Sequence, residues 1–236
     1  MFPTGRKTDG PATGTREHLC RQALTMRGRW VVAAAAIGGA VALHLGPGRR
    51  YYATWGATEE ETVLRLPGDE MLPDADLVTT RAIGVRVPPA AVWPWLVQFG
   101  PGRGGAYTYD WIENLFGLGM HSADEILPEF QSLSIGDSFA LGKNGQRMWV
   151  RVLDPERCLV FGSGDGTWIW SFALRGGAEG TRLISRNRIR TPGRSAIAAI
   201  LYAAFMPAAS LVMERKMLLG IKKRAERTGA GGLISL

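Results

Sequence analysis

Hydrophobic and polar positions alternate through TTRAIGVRV (79–87), where Ile83, Val85 and Val87 fall on one face and Ala82, Gly84 and Arg86 on the other; this predicts a strand. Pro88 and Pro89 stop it and preset φ for a helix start. AAVWPWLVQF (90–99) then places Val92, Leu96 and Phe99 at i, i+4, i+7 spacing, which predicts a helix with one apolar side. Pro94 inside it calls for either a later start or a kink. The glycine-rich stretch GPGRGG (100–105) reads as a flexible loop, a lid for whatever lies beneath it, and two short helices are expected near 109–116 and 123–131.

From residue 133 the period becomes two. LSIGDSFAL (133–141), QRMWVRVL (146–153), RCLVFG (157–162), TWIWSFALR (167–175) and TRLISRNRIR (181–190) read as five consecutive strands. Short turns such as Lys143-Asn144-Gly145 and Gly164-Asp165-Gly166 join them, which predicts an antiparallel meander rather than βαβ units. Trp168, Trp170, Phe172 and Leu174 share one side of the fourth of these strands, taken as the inner face. In the fifth, Leu183, Ser185, Asn187 and Ile189 share the inner side. Arg182, Arg186, Arg188 and Arg190 lie opposite with Ile184, and are expected to face water because unpaired guanidiniums are costly to bury.

Two longer apolar stretches flank this region. SAIAAILYAAFMPAASLVM (195–213) is uncharged and is followed by the basic, amphipathic ERKMLLGIKKRAER. Pro207 at its centre predicts a broken pair of helices packed on the concave sheet, with a membrane hairpin as the alternative. Near the other end, WVVAAAAIGGAVALHL (30–45) is uncharged between Arg27/Arg29 and Arg49/Arg50. It reads as a transmembrane or signal-anchor helix over 30–46, against a plain buried or surface helix. Residues 1–29 read as a disordered basic terminus, 47–76 as a solvated linker, 77–227 as the folded domain and 228–236 as a flexible tail.

Charge supports a membrane more than a nucleic acid. The net charge of +7 is concentrated at the ends, with eight Lys/Arg against two Asp/Glu in residues 1–50 and seven against two in 192–236, beside the apolar stretches. A nucleic-acid binder carries its positive charge on a folded face, so no nucleic-acid partner is expected. Two cysteines, Cys20 and Cys158, form neither a disulfide framework nor a metal motif.

The order strand, two helices, strand meander and long C-terminal helix resembles the helix-grip fold of the START/Bet v 1-like (SRPBCC) superfamily, over about Leu77 to Arg227. TRAIGVRVPPAAVWPWLVQ resembles that superfamily's first strand and helix. GRGGAYTYDWIENL and VMERKMLLGIKKRAE are similar to a bacterial polyketide cyclase/dehydrase-like branch of it. The resemblance implies an α+β fold in which a curved antiparallel sheet wraps around a long C-terminal helix, here with an N-terminal hydrophobic helix added. It also implies a cavity for an apolar or aromatic molecule, in a superfamily that spans lipid carriers, cyclases and aromatases.

Aromatic and polar side chains within the domain supply the candidate lining: Trp95, Phe99, Tyr107, Tyr109, Trp111, Met148, Trp168, Trp170, Phe172, Ser185 and Asn187. The candidates for acid–base work are His121, the domain's one histidine, and Asp110 with Glu113, at i, i+3 spacing. One histidine with scattered acids makes no zinc site, no nucleophile motif is present and no cofactor is expected. The reading is therefore a membrane-tethered binding or carrier protein for a hydrophobic small molecule or lipid, located at a membrane. The alternatives are a cyclase, aromatase or dehydrase-type enzyme using the same cavity, and an interaction domain without ligand at the membrane.

Overall fold

The computed structural model describes residues 47–115, 117–141, 146–191 and 195–232. Six strands form one antiparallel sheet in the order β1-β6-β5-β4-β3-β2. They are β1 (Leu77–Val85), β2 (Ser138–Ala140), β3 (Arg147–Asp154), β4 (Cys158–Ser163), β5 (Trp168–Gly177) and β6 (Gly180–Ile189). The last five follow one another as the expected meander, and β1 pairs with β6 from Leu77↔Ile189 to Val85↔Thr181. Helices α3 (Pro89–Val97) and α5 (Ala196–Gly232) pack on one face, with the short α4 (Asp110–Leu115) between them in sequence. This is the helix-grip α+β architecture: a curved sheet gripping a long C-terminal helix.

The main core lies between the sheet and these helices. Val92, Trp95 and Leu96 of α3, Phe161 of β4, Phe172 of β5, Leu183 of β6 and Leu218 and Ile221 of α5 are all at most 1% exposed. α3 starts at Pro89 and runs through Pro94. The N–H that Pro94 lacks would have bonded the carbonyl of Ala90, which stands at the exposed edge where water can serve it. The GPGRGG stretch is a packed turn rather than a flexible lid. Gly100 and Gly105 pair across it, and at Gly105 (φ 76°) a Cβ would stand 2.6 Å from the His121 carbonyl oxygen.

Two further expectations are corrected. The C-terminal apolar run is one continuous helix, not a broken pair, although Pro207 lies within it. The Pro207 carbonyl accepts from Arg81 Nη2 (3.0 Å) and Ser210 Oγ (3.2 Å), so the weak point of the helix is tied to the sheet. Among the described residues no helix is long and apolar enough to cross a membrane; the anchor expected over 30–46 lies outside them.

The second correction concerns the arginine ladder and the linker, which turn out to be two halves of one interface. Residues 47–76 form α1 (Pro47–Thr54), α2 (Glu59–Val63) and a 3-10 turn (Asp69–Met71), and this strap covers the sheet's outer face. Thr58 and Glu61 cap α2 reciprocally, Glu61 N to Thr58 Oγ1 at 3.2 Å and Thr58 N to Glu61 Oε2 at 2.8 Å. Gly56 (φ 72°) lets the strap meet β1 so closely that a Cβ there would fall 2.2 Å from the Ala82 carbonyl oxygen.

Arg182 pairs with Glu61 (2.7 Å), Arg186 with Asp69 (2.6 Å) and Arg188 with Asp69 (3.6 Å). Only Arg190, 3.9 Å from Asp74, keeps substantial exposure. Arg186 is 2% exposed, yet every N–H of its guanidinium has an acceptor, namely Thr80 Oγ1, the Asp69 carboxylate and the carbonyls of Glu61, Thr62 and Leu64. Arg186 can be buried because none of its N–H groups is left unpaired.

Candidate functional site

Between the sheet and α5 lies a cavity of about 840 Å³. Its sheet side is built from alternate residues of three adjacent strands: Leu77 and Thr79 of β1, Asn187 and Ile189 of β6, Trp168 and Trp170 of β5. α5 supplies Tyr202, Met206, Ser210, Met213, Glu214 and Met217, a spacing that keeps one helical face toward the opening. Phe99, Ala106, Thr108, Ile112, Glu113, Leu118 and Met120 close the third side, and Gln146, Asp165, Thr167 and Arg190 line the mouth. Three methionines on the helix face give this wall adaptable, polarizable contact surface.

The two tryptophans carry the shape. Their rings stack at 5.7 Å with 16° between planes, and Phe99 meets Trp170 edge-on at 5.2 Å. Each indole N–H is held by the neighbouring strand: Trp168 Nε1 donates to Asn187 Oδ1 (2.8 Å) and Trp170 Nε1 to Ser185 Oγ (2.9 Å). The register puts Trp170 opposite Asn187 and Phe172 opposite Ser185, so both indoles reach diagonally and lie along the sheet instead of standing upright.

Behind them sits a polar network built on Glu214. Ser185 Oγ donates to Glu214 Oε1 (2.6 Å) and Asn187 Nδ2 to Oε2 (3.3 Å). Arg81 Nη1 pairs with the same carboxylate, both side chains being at most 5% exposed. The remaining guanidinium N–H groups of Arg81 reach the Tyr52 carbonyl (2.7 Å), the Pro207 carbonyl and Ser210 Oγ (2.9 Å). Burial pushes the Glu214 carboxyl above its ordinary range, against the opposing pull of Arg81 and Ser185.

Glu113 is the other acid of the interior. It is 7% exposed, and neither its Oε2 nor the Thr108 hydroxyl beside it makes a well-formed hydrogen bond, though the hydroxyl lies near enough to pull the carboxyl's pKa down somewhat. Burial, with a smaller push from Asp110, raises its pKa. Its protonated form is therefore the one folding favours; that contribution is complete below the ordinary value of 4.5 and is lost as pH rises through the raised folded value. Glu113→Gln is accordingly expected to be more stable than the parent at pH 8 and level with it at pH 4, read from urea midpoints. A variant less stable at pH 8 would contradict the account of Glu113.

The candidates named from the sequence separate into three groups. Phe99, Trp168, Trp170, Asn187 and Glu113 line the cavity. Trp95, Tyr107, Met148, Phe172 and Ser185 are buried beside it, each at most 1% exposed. Tyr107 Oη donates to the Trp95 carbonyl (2.9 Å), and burial pushes its phenol well up. Tyr109 is half-buried under the Lys216 ammonium (5.3 Å), Trp111 is 66% exposed and His121 is exposed. Asp110 is committed to the Ser122 N–H (2.7 Å) and hydroxyl (2.5 Å), tying the start of α4 to the segment that follows it.

Sequence reasoning did not find Glu214, Arg81, Thr79 or the helix face from Tyr202 to Met217. The uncharged run 195–213 hides its own period, and Glu214 is the first charged residue after it, which was the available signal.

No family model matches the chain, and no curated protein does. Among solved structures it is similar to Cgl2372 from Corynebacterium glutamicum, described as a Polyketide_cyc-like protein, at 16% identity and a TM-score of 0.42, over 64% of this chain and 91% of that one. It is also similar to an AHSA1-like protein from Aeromonas hydrophila, at 16% identity and a TM-score of 0.40, over 65% and 94%. Polyketide_cyc-like and AHSA1-like proteins are members of the SRPBCC/Bet v 1-like superfamily. These likenesses concern the fold, which the sheet order and the long helix establish on their own.

Proposed function

We propose that the chain is a membrane-tethered binding or carrier protein for a hydrophobic small molecule or lipid. The observation that carries the reading is the cavity of about 840 Å³, walled by stacked tryptophans on one side and by methionines on the other. Its size and mostly apolar lining with a few fixed polar groups suit a small-molecule site.

Support for the membrane comes from the surface around that cavity. α4 turns Ile112 and Glu113 inward while Trp111 (66% exposed) and Leu115 (76% exposed) face out. On α5, exposed Val212, Lys216, Leu219 and Lys223 follow one helical stripe, alternately apolar and basic. The uncharged run 30–45 between arginines is the proposed tether.

Full-length chain reconstituted in donor vesicles is expected to speed movement of a neutral fluorescent lipid analogue to acceptor vesicles. A Trp111→Ala/Leu115→Ala variant is expected to slow it severalfold with its melting behaviour kept. Transfer no faster than the protein-free rate would overturn the carrier reading.

A further inference from the structure

Resting on that reading, we infer that the cavity selects a hydrophobic molecule bearing a neutral hydroxyl, seated with that hydroxyl at Glu113 and Thr108, and rejects the same skeleton ending in a carboxylate. The polar groups left open along the wall are the first ground. Thr79 Oγ1 (2% exposed) has no partner, and Glu113 Oε2 (residue 7% exposed) and Thr108 Oγ1 make no well-formed hydrogen bond and meet only weakly with each other. A buried polar atom without a partner costs free energy that a ligand can recover by pairing with it. By contrast Asn187, Ser185 and Glu214 already satisfy one another and the tryptophans.

Charge is the second ground. Among the described residues, Glu113, Asp165 and Glu214 line the cavity against a single lining cation, Arg190. Arg190 stands at the mouth, 43% exposed and facing Asp74, and Arg81 behind the wall is committed to Glu214. Asp165 accepts from Ser163, Thr167 and Gln146, which holds it down to about 2 and so ionised at every working pH. A ligand carboxylate would thus leave water for a site of its own sign, with no free cation among the described residues to meet it. An alcohol donates to the Glu113 oxygen and accepts from the threonine hydroxyls, whereas an ammonium offers those hydroxyls no acceptor and must shed more water to enter.

The test displaces bound Nile red from the full-length chain at pH 8 with dodecan-1-ol, dodecylamine and sodium dodecanoate. Dodecan-1-ol is expected to compete at a concentration at least about tenfold below that of dodecanoate, a difference of ~1.4 kcal/mol, with the amine also weaker than the alcohol. With competition referred to each protein's own Nile red affinity, Glu113→Gln is expected to shrink the alcohol–carboxylate gap to about threefold or less. Dodecanoate or the amine competing as well as the alcohol overturns the inference, as does a gap untouched by Glu113→Gln. Absence of Nile red uptake removes the carrier reading and this inference together, whereas uptake without discrimination removes the inference alone.

Discussion

Arg186→Met is expected to lower stability by about 3–5 kcal/mol, the usual consequence of removing one partner from a buried ion pair. The side chain is 2% exposed and satisfies Thr80, Asp69 and three carbonyls of the strap at once. Methionine fills a similar volume and takes the donor from Thr80 and the three carbonyls, leaving Asp69 only the Leu66 N–H and Arg188. The loss should be local before it is global: amide protons of residues 61–71 exchange faster in the variant while those of β4 keep their protection. Arg175→Met, at an exposed position on the neighbouring strand, is the control and should change stability by no more than about 0.5 kcal/mol. Urea unfolding and hydrogen exchange read both. Equal behaviour of the two variants would mean that the strap does not depend on the ladder.

The Arg81–Glu214 pair gives the second large effect. Arg81→Met alone is expected to cost about 3–5 kcal/mol, because it strands a carboxylate inside the protein and frees the Tyr52 and Pro207 carbonyls. Arg81→Met combined with Glu214→Met is expected to regain at least half of that loss, since an apolar pair of similar volume removes the stranded charge with its partner. Additive single losses in the double variant would contradict this account. The pair also joins β1 to α5 across the inner end of the cavity, so the single variant should weaken Nile red binding more than the double variant does.

What could be read in advance depended on how local the signal was. The meander was legible because each strand carries its own period of two and its own turn, and the inner face followed from Trp168, Trp170, Phe172 and Leu174 alone. The arginine side of β6 was misread because its partners lie far away in sequence: Arg182 meets Glu61 across 121 positions and Arg186 meets Asp69 across 117. The assumption that unpaired guanidiniums stay in water was sound; the missing fact was that they are paired. A local clue did exist in Thr58-Glu59-Glu60-Glu61, the capping-box spacing that marks a helix start within a segment taken as a linker.

The site was partly legible for the same reason. Phe99, Trp168, Trp170 and Asn187 stand on strands or at a helix end whose faces were assigned, and they line the cavity. Glu214 and Thr79 gain their meaning only when α5 lies across β1 and β6, with Arg81 and Glu214 separated by 133 positions. His121 and Asp110 looked suited to proton transfer by residue type. Their positions, one exposed and one closing a loop through Ser122, are set by tertiary packing that no spacing reveals.

The central claim is that the space between the tryptophans and α5 holds an apolar guest, and stoichiometric Nile red binding tests it most directly. The full-length chain is expected to take up one dye per chain, with quenching of tryptophan emission. An Ile112→Trp/Met213→Trp variant, which fills the cavity from two of its walls, is expected to lose at least about tenfold in affinity, ~1.4 kcal/mol, while unfolding cooperatively. Equal dye binding by the filled variant, or none by the parent, would contradict it.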